Sequence, residues 1–452
     1  MSERDHNRTG KLTWWQLSLV GVASTIGTGY FLGSVIGIQM AGQGILFSFL
    51  FAGTGTYFVF EALAKMAIEN PEEGSFRTYG RQAFGNWAGF TIGWIYWFSE
   101  MLITGSQLTA LSLLTKFWFP DVPLWIFTLG YGILGIIVVL IGTQGFVRSQ
   151  NIFAIIKIGA ILMFLILSVL VLFGFFGGST NDFQMPNTPR EFLPNGIFGL
   201  WASFIYGFYA YGGIEIMGMM STQLKRRGEI LKAGIVMVIV LTTIYLLSFL
   251  MATSLVSLDK FSTNESPFIT ALSKYRITIF PHLFTGGIIT AGFSTLAASL
   301  FAVTSMVETL ALDGDAPEIF AKKTRMKVPP FALGLTIFGL LVSIVLSFII
   351  PDRVYEYVTT AAGLILVYIW FFILITYLKL MKESGLAKLK VFFGMILLVL
   401  AIAGTVFQRE SRFGFFISLF FVVFVFLLLF IRRSSKKKDD GEGSLFVKLS
   451  FK

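Results

Sequence analysis

Two glycine-rich interruptions lie inside long apolar stretches of the sequence. Gly-Thr-Gly at 27–29 lies within the apolar run 14–38, and Gly-Gly at 212–213 is separated from Glu215 by one residue. Glycine destabilises a helix interior by roughly 1 kcal/mol relative to alanine, and a helix that opens in lipid leaves backbone groups unsatisfied. Freed N–H groups can bind an anion and freed carbonyl groups a cation, so this pattern predicts a site between two discontinuous helices.

Close helix packing is the alternative interpretation of the first interruption. Gly29, Gly33 and Gly37 form two overlapping small-xxx-small steps of the kind found at helix contacts. However, all twelve prolines fall in loops or at the ends of apolar stretches, so an interruption within a stretch must come from glycine. Close packing alone does not explain why a glycine interruption occurs in both the first and the sixth apolar stretch. We therefore favour broken helices.

The elements that must position these interruptions are membrane-spanning helices. The chain has 452 residues, of which 55% are hydrophobic and 13% charged, a composition untypical of soluble globular proteins. A helix needs about 20 mostly apolar residues to cross a bilayer. We predict an all-α polytopic membrane protein with about twelve transmembrane helices, at residues 14–38, 43–66, 87–115, 124–142, 150–176, 196–220, 233–257, 282–311, 331–350, 355–378, 391–407 and 412–431.

These stretches divide the chain into five parts. We expect an N-terminal tail at 1–13, helices 1–5 at 14–176, helices 6–10 at 196–378, helices 11 and 12 at 391–431, and a basic C-terminal tail at 432–452.

The distribution of basic residues predicts the orientation of the chain. Its net charge of +10 would suit a nucleic-acid partner, but only eight of the 35 Lys and Arg fall in predicted outer loops. This bias follows the positive-inside rule, with both termini cytoplasmic, and favours membrane lipids over nucleic acid as the partner of the basic tail. The eight are Lys116, Arg190, Lys260, Lys274, Arg276, Arg353, Arg409 and Arg412.

Other chemistry is limited by the residue types present. There is no cysteine, so thiolate metal sites and cysteine nucleophiles are excluded. The two histidines, His6 and His282, form no HExxH motif, and no Ser-His-acid set falls within the apolar stretches. We therefore expect no enzyme activity, no metal and no cofactor. Short loops and tails favour a bacterial inner membrane.

Five ionisable side chains fall inside the predicted spans, where each costs about 3 kcal/mol and is a functional candidate by default. They are Glu61, Glu100, Lys157, Glu215 and Glu308. Lys157 either extends to the membrane interface or takes part in ion coupling. Glu215 either accepts hydrogen bonds from N–H groups freed by the break or carries a proton. Glu61 and Glu308, near predicted inner ends, suit gate or interface pairs.

Glu100, Thr104 and Gln107 form a polar stripe on the third span, at i, i+4 and i+7. Glu100 could pair with a cationic substrate side chain, hold a proton, pair with Lys157, or face a water-filled vestibule. The sequence leaves these alternatives open.

Five stretches in order resemble the amino acid permeases of the amino acid-polyamine-organocation superfamily. They are TIGTGYFLGS at 25–34, EALAKMAIENPEEGSFRTYGRQAFGNWAGFTIGWIYW at 61–97, FYAYGGIE at 208–215, LALDGDAPEIFAKKTRMKVPPFAL at 310–333 and VYIWFFILITYLKL at 367–380. The resemblance implies a LeuT-like fold: a five-plus-five inverted repeat with helices 1 and 6 broken, followed by two added helices. It also implies coupled uptake or exchange of amino acids by alternating access.

The resemblance also implies which residues bind the substrate. Backbone N–H groups of Ile26, Gly27, Thr28 and Gly29, with the Thr28 hydroxyl, would hold the α-carboxylate. The α-ammonium would be held by backbone carbonyl groups of Tyr209, Ala210 and Gly212.

Side chains around this backbone site have further implied roles. Tyr209 or Tyr211 would close the site as a gate, and the side-chain cavity would be lined by residues such as Trp97, Tyr209 and Ala298. Lys157 falls where some family members have a lysine at the position that a sodium ion occupies in sodium-coupled relatives. Glu100, Thr104, Gln107 and Ala298 are therefore the selectivity candidates, and Lys157 and Glu215 the ion-coupling candidates.

Two departures from the family pattern bear on subfamily and substrate. GMMSTQLKRRGE follows the sixth span, with Gln223 where the family often has glutamate. In the eighth span Ala297 and Ala298, then Ser305 and Met306, replace the common NS and SRM patterns.

The leading hypothesis is a secondary amino acid transporter that couples uptake of neutral, apolar amino acids to protons. A basic amino acid permease, resting on Glu100, and an exchanger are the alternatives. A non-transporting amino acid receptor with the same broken helices would bind without saturable flux. The resemblance also implies a short helix over the site, within the long polar outer loop 258–281.

Overall fold

The structure is a computed structural model that describes residues 12–262, 265–324, 326–349, 354–383 and 385–449. Within these ranges the regular elements are helical, and β pairing is limited to one bridge between Leu12 and Leu224. Residues 1–11 and 450–452 of the predicted tails, Arg353, and the side chains of 433–449 lie outside the described part of the chain.

Helices cover every predicted apolar stretch. The first half of the chain contains α1 (Trp14–Thr25), α2 (Ser34–Ala41), α3 (Ile45–Glu69), α4 (Ser75–Phe84), α5 (Asn86–Thr115), α6 (Leu124–Leu140) and α7 (Thr143–Leu172). A π-helical turn, Gly29–Gly33, precedes α2.

The second half begins with the four-residue helix α8 (Pro189–Phe192). It continues with α9 (Gly196–Ala210), α10 (Ile214–Met219), α11 (Glu229–Leu255), α12 (Pro267–Leu272), α13 (Phe280–Leu312), α14 (Pro330–Ile349), α15 (Val354–Leu380), α16 (Gly385–Phe407) and α17 (Arg409–Leu449). The short helix expected in the loop 258–281 is α12, and α17 continues as a helix into the segment predicted to be a tail.

Eight helical stretches of the described residues are long and apolar enough to cross a membrane. They are Gly29–Glu69, Thr143–Leu172, Pro189–Met219, Glu229–Leu255, Phe280–Leu312, Glu356–Leu380, Gly385–Phe407 and Ser411–Arg432. Leu124–Leu140 and Pro330–Val345 are apolar but shorter. Helix α5 has 30 residues but carries Glu100, Gln107 and several hydroxyl side chains.

The core surrounds α1, α5 and α13. Helix α5 packs against α13 and α15, while α1 contacts α7, α10, α11 and α13. The segment before α1 also pairs with the segment after α10, because the Leu12 N–H donates to the Gln223 carbonyl (2.9 Å) and the Lys225 N–H to the Leu12 carbonyl (2.9 Å). The two interrupted helices are therefore joined at one end as well as along their length.

An aromatic cluster closes the structure near the Phe280 end of α13. Tyr30, in the π-helical turn, stacks on Tyr245 of α11 with ring centroids 4.4 Å apart, and its hydroxyl lies 2.5 Å from that of Ser248. Phe268 of α12 packs on Tyr30 at 5.1 Å and on Phe249 at 5.7 Å. The loop helix α12 thereby covers the turn that follows the first interruption.

A charged cluster closes the opposite end of α13. The fully buried guanidinium of Arg77 contacts the carboxylates of Asp313 and Asp315, and its Nε donates to the Gly89 carbonyl at 3.2 Å. Arg432 of α17 contacts Asp315 at 2.7 Å. One buried network therefore joins α4, the segment after α13, and the last helix. We call these residues the Arg77 cluster.

Removing Arg77 is expected to destabilise the protein. Loss of one partner of a buried ion pair costs about 3–5 kcal/mol, and in Arg77→Ala the buried carboxylate of Asp315 keeps only Arg432 as an ion-pair partner. Arg226→Ala is the matched control, since Arg226 is 83% exposed and its pair with Glu229 should contribute about 0–1 kcal/mol. Melting of the purified protein in detergent measures both, and equal falls in Tm would contradict the assignment.

Candidate functional site

The first interruption separates α1 from α2. Helix α1 ends at Thr25, and Ile26 is extended, with φ −71° and ψ 103°. The chain turns helical again when the Gly27 carbonyl accepts the N–H groups of Tyr30 (3.1 Å) and Phe31 (3.2 Å). The N–H groups of residues 27–29 thus precede the first bond of the resumed helix, at the positive end of its dipole.

The second interruption touches the first. Helix α9 ends at Ala210 and α10 begins at Ile214, and Gly213 between them has φ +109°. A Cβ on Gly213 would lie 2.6 Å from the carbonyl oxygen of Ser24 at the end of α1. Glycine is required here both for its backbone conformation and for the close approach of the two broken helices.

A small cavity lies between the two interruptions. Its volume is about 30 Å³, enough for roughly one or two water molecules and too small for an amino acid unless the surroundings move. Its lining residues are Ser24, Thr25, Gly27, Gly29, Glu100, Ile103, Gln107, Tyr209, Gly212, Gly213, Ile216, Thr295 and Ser299.

Three polar atoms around this cavity lack a hydrogen-bond partner among the described residues. They are Ser24 Oγ, Thr25 Oγ1 and Gln107 Oε1, on side chains that are at least nine-tenths buried. A buried polar group without a partner costs about 1–3 kcal/mol, and native structures rarely leave one unexplained. Their concentration beside the helix interruptions indicates a site for a polar ligand.

Lys157 of α7 contacts the end of α1. Its ammonium donates to the Ala23 carbonyl, which also accepts the Ser294 hydroxyl at 3.2 Å. In an unbroken helix this carbonyl would accept from Gly27. Gln150 accepts the Ser294 hydroxyl at 2.6 Å and donates to the Ser294 carbonyl at 2.9 Å. A positive charge therefore lies at the negative end of the α1 dipole.

Glu215 performs the corresponding role at the second interruption. Its two carboxylate oxygens accept the Gly213 N–H at 3.1 and 3.2 Å, and Trp370 Nε1 lies 3.4 Å from one of them. This is the contact expected if the carboxylate satisfies an N–H group freed by the break.

The polar stripe of α5 reaches the cavity through Glu100 and Gln107. Glu100 is 2% exposed and hydrogen-bonded to Ser299. It forms no ion pair with Lys157, whose ammonium contacts Ala23 instead. Thr104, between them in sequence, is buried and does not line the cavity.

The two candidate gate tyrosines have different surroundings. Tyr209 lines the cavity and lies against Gly29, where a Cβ would be 2.7 Å from its ring. The Tyr211 hydroxyl lies 2.8 Å from that of Thr242 and 3.3 Å from the Phe49 carbonyl, away from the cavity lining. This geometry favours Tyr209 as the residue that contacts a ligand.

Comparison with known proteins identifies the family. The profile of the amino acid permease family matches residues 16–442. The chain belongs to the amino acid permease family. The permease is 49% identical to the uncharacterized transporter YcgH of Bacillus subtilis over 96% of this chain and 98% of the relative. It is 31% identical to the aromatic amino acid transport protein AroP of Corynebacterium glutamicum over 90% and 93% of the two chains. The resemblance read from the sequence is confirmed, and the relatives are transporters.

A solved structure shares the fold of the permease. The structure of MhsT in complex with L-phenylalanine superposes with a TM-score of 0.63 at 14% identity, covering 90% of this chain and all of that one. With its many apolar helices, the permease is a multi-pass membrane protein of LeuT-like fold.

Sequence reasoning missed several residues of the permease cavity. Ser24 and Thr25 directly precede the first interruption, so their position was a usable signal. On α13 the predicted residue was Ala298, but Thr295 and Ser299, one turn apart, line the cavity and Ala298 does not. The predicted residue and the observed lining residue Ser299 are one position apart, which is a rotation of about 100° around the helix axis. The sequence pattern of this buried helix did not determine which side faces the cavity. Ile26, Thr28 and Ala210 lie at the interruptions but outside the lining.

Gly213→Ala is expected to abolish transport by the permease. The substitution places a methyl group against the Ser24 carbonyl and requires a backbone conformation that costs of order 1–3 kcal/mol. Gly334→Ala on α14 is the control, because a Cβ there meets nothing within 4 Å. Uptake of labelled amino acids into liposomes compares the two variants. Equal uptake would show that the two interruptions need not touch.

Proposed function

We propose that this permease is a secondary active transporter that takes up neutral, apolar amino acids together with protons by alternating access. The observation that supports the proposal most strongly is the small cavity between two helix interruptions, lined by buried polar atoms that have no hydrogen-bond partner in the described part of the chain. Ile103, Ile216 and Tyr209 supply apolar lining, and apolar pockets suit apolar side chains. AroP is named as a transporter of aromatic amino acids, and the MhsT structure contains L-phenylalanine. Both are compatible with such a substrate.

The backbone would recognise both charges of the substrate. N–H groups of residues 27–29, at the positive end of the resumed helix, would hold the α-carboxylate. The Ile26 N–H, predicted with them, donates to the Val22 carbonyl at 3.0 Å. Carbonyl groups of Tyr209, Ala210 and Gly212 would hold the α-ammonium. The Tyr209 carbonyl already accepts the Gly212 N–H (3.0 Å) and that of Ala210 the Tyr245 hydroxyl (3.0 Å), so each would use its second lone pair.

Side chains would set the selectivity and the gate. We assign selectivity to Glu100 and Gln107, which line the cavity, whereas Thr104 and Ala298, predicted with them, do not line it and would act only through these neighbours. Tyr209 would act as the gate. Tyr211 would contribute to gating indirectly, through its contacts with Thr242 and Phe49.

The proposal includes the arrangement of the chain in the membrane. We propose twelve spans, with α1 to α7 and α9 to α15 as two inverted five-span repeats and α16 and α17 as the added spans. Both termini would lie in the cytoplasm of a bacterial cell, with the permease in the cell membrane. The basic residues of the predicted inner loops support this orientation.

Lys157 and Glu215 are the proposed ion-coupling residues. The Lys157 ammonium already supplies a cation to the carbonyl end of α1, so a sodium ion would have no role there. Glu215 holds the start of α10 and would move with it.

A pH gradient, and not a sodium gradient, is expected to drive uptake. Purified permease in liposomes would be tested with labelled leucine, phenylalanine, threonine, proline, glutamate and lysine under each gradient. Saturable uptake of a neutral class under the pH gradient is the expected result. Uptake driven by sodium would contradict the role of Lys157, and binding without flux would indicate a receptor.

Lysine or arginine transport is the second candidate function, because a carboxylate faces the cavity at Glu100. The same assay decides it: saturable uptake of lysine in preference to leucine would reverse the order of the two proposals.

Lys157→Ala should impair uptake at least about tenfold, because a hydrogen bond to a charged group contributes roughly 1.5–3 kcal/mol. Lys260→Ala, in an exposed loop position, is the control and should transport normally. Unimpaired uptake by Lys157→Ala would contradict the proposed function of this lysine.

A further inference from the structure

Glu100 is the only acidic residue among those that line the cavity. It lies 14 residues from the start of α5 at Asn86, or about 21 Å along a helix that rises 1.5 Å per residue. Its carboxyl group is buried, and the cavity is its nearest open space. The cavity holds roughly one or two water molecules, so a charge on Glu100 cannot be fully hydrated while the site is closed.

No cationic side chain neutralises Glu100 in the described structure. The titratable groups near it are Tyr96, Tyr209 and Glu215, none of which supplies a positive charge. Glu215 is held by the Gly213 N–H, and Lys157 by the Ala23 carbonyl. The other described charged side chains on the helices packed against α5 lie within about one or two turns of a helix end, except Arg432, which contacts Asp315. They are Arg77, Arg81, Glu308, Glu356, Lys379, Arg412 and Arg432.

A lone carboxylate in such a site carries a large desolvation cost, which either a bound cation or a bound proton removes. A zwitterionic substrate held by the two interrupted helices has both of its charges satisfied by backbone groups, and so has no charge left for Glu100. Closure of the loaded cavity would then bury an unpaired charge unless Glu100 had taken up a proton.

We infer that Glu100 binds the transported proton, with the Ser299 hydroxyl as its hydrogen-bond partner, while Lys157 and Glu215 couple to it by holding the ends of the broken helices. The inference rests on the proposed transport function and deepens it. A proton from the outer solution adds to the carboxylate while the cavity is open to that side, and the neutral acid permits closure around the substrate. Opening to the other side rehydrates Glu100, and the proton leaves to the inner solution. One proton thus accompanies each zwitterion, and the loaded, closed cavity is neutral at Glu100.

Glu100→Gln separates substrate binding from proton binding. The amide resembles the protonated acid in shape and charge, so the variant should still exchange labelled for unlabelled substrate across liposomes at equal pH at a measurable rate. It should fail to accumulate substrate against a gradient. A difference of one pH unit supports about tenfold accumulation at one proton per substrate, and the variant should show none. Glu229→Gln, at the start of α11, is the carboxylate control and should accumulate normally.

Direct proton uptake provides a second measurement that does not need the glutamine variant. Substrate added to the purified, unaltered protein in weakly buffered detergent solution should remove about one proton per substrate bound near neutral pH, and Glu100→Asp should retain some of this uptake. No proton uptake by the unaltered protein would overturn the inference, as would accumulation by Glu100→Gln equal to that of the control.

The outcomes distinguish this inference from the proposed function. If the unaltered protein shows no amino acid flux, the proposed function fails and the inference fails with it. If a pH gradient does not drive neutral amino acids, the proton coupling of the proposed function fails too. If the pH gradient drives them and Glu100→Gln accumulates them as well as the control does, the proposed function stands and only the assignment of the proton to Glu100 fails. If it carries lysine and Glu100→Gln no longer binds lysine, Glu100 is a substrate ligand and the inference is overturned.

Discussion

A backbone group that loses its helical partner in an apolar environment must find another, and the structure around both interruptions follows from this constraint. At the end of α1 the Ala23 carbonyl is satisfied by Lys157 and Ser294. Before α10 the Gly213 N–H is satisfied by Glu215. The groups between these two compensated ends are the ones available to a ligand, so the same charges that stabilise the breaks also delimit the site.

The constraint explains why the site is buried as well as polar. The aromatic cluster around Tyr30 covers one end of α13, and the Arg77 cluster fixes the other. The cavity between them holds no more than roughly one or two water molecules. We propose that a substrate enters when one of these closures opens, and that both do not open together, since that would expose the freed backbone groups to water from two sides. This would be the alternating-access cycle of the proposed function.

The sequence was sufficient for the elements that depend on local composition. Helix positions and the glycine interruptions could be predicted because apolar length and glycine each carry a large free energy. Whether Lys157 is buried or extends to the membrane interface could not, and neither could features that depend on helix rotation. The sequence did not determine whether Ala298 or Ser299 faces the cavity, or that Tyr211 points away from it into the core, because buried helices can be apolar on nearly every face. The partner of Glu100 was likewise undetermined, since Lys157, a substrate cation and a proton all satisfy the same local pattern.

The central claim is that the two interruptions together bind a zwitterionic amino acid through the backbone. The most direct measurement is an experimental structure with the amino acid that uptake assays identify. We expect the α-carboxylate within hydrogen-bond distance of the N–H groups of residues 27–29, and the α-ammonium on the carbonyl groups of Tyr209, Ala210 or Gly212. A substrate bound outside this cavity, or inside it with its carboxylate turned towards α9, would contradict the account.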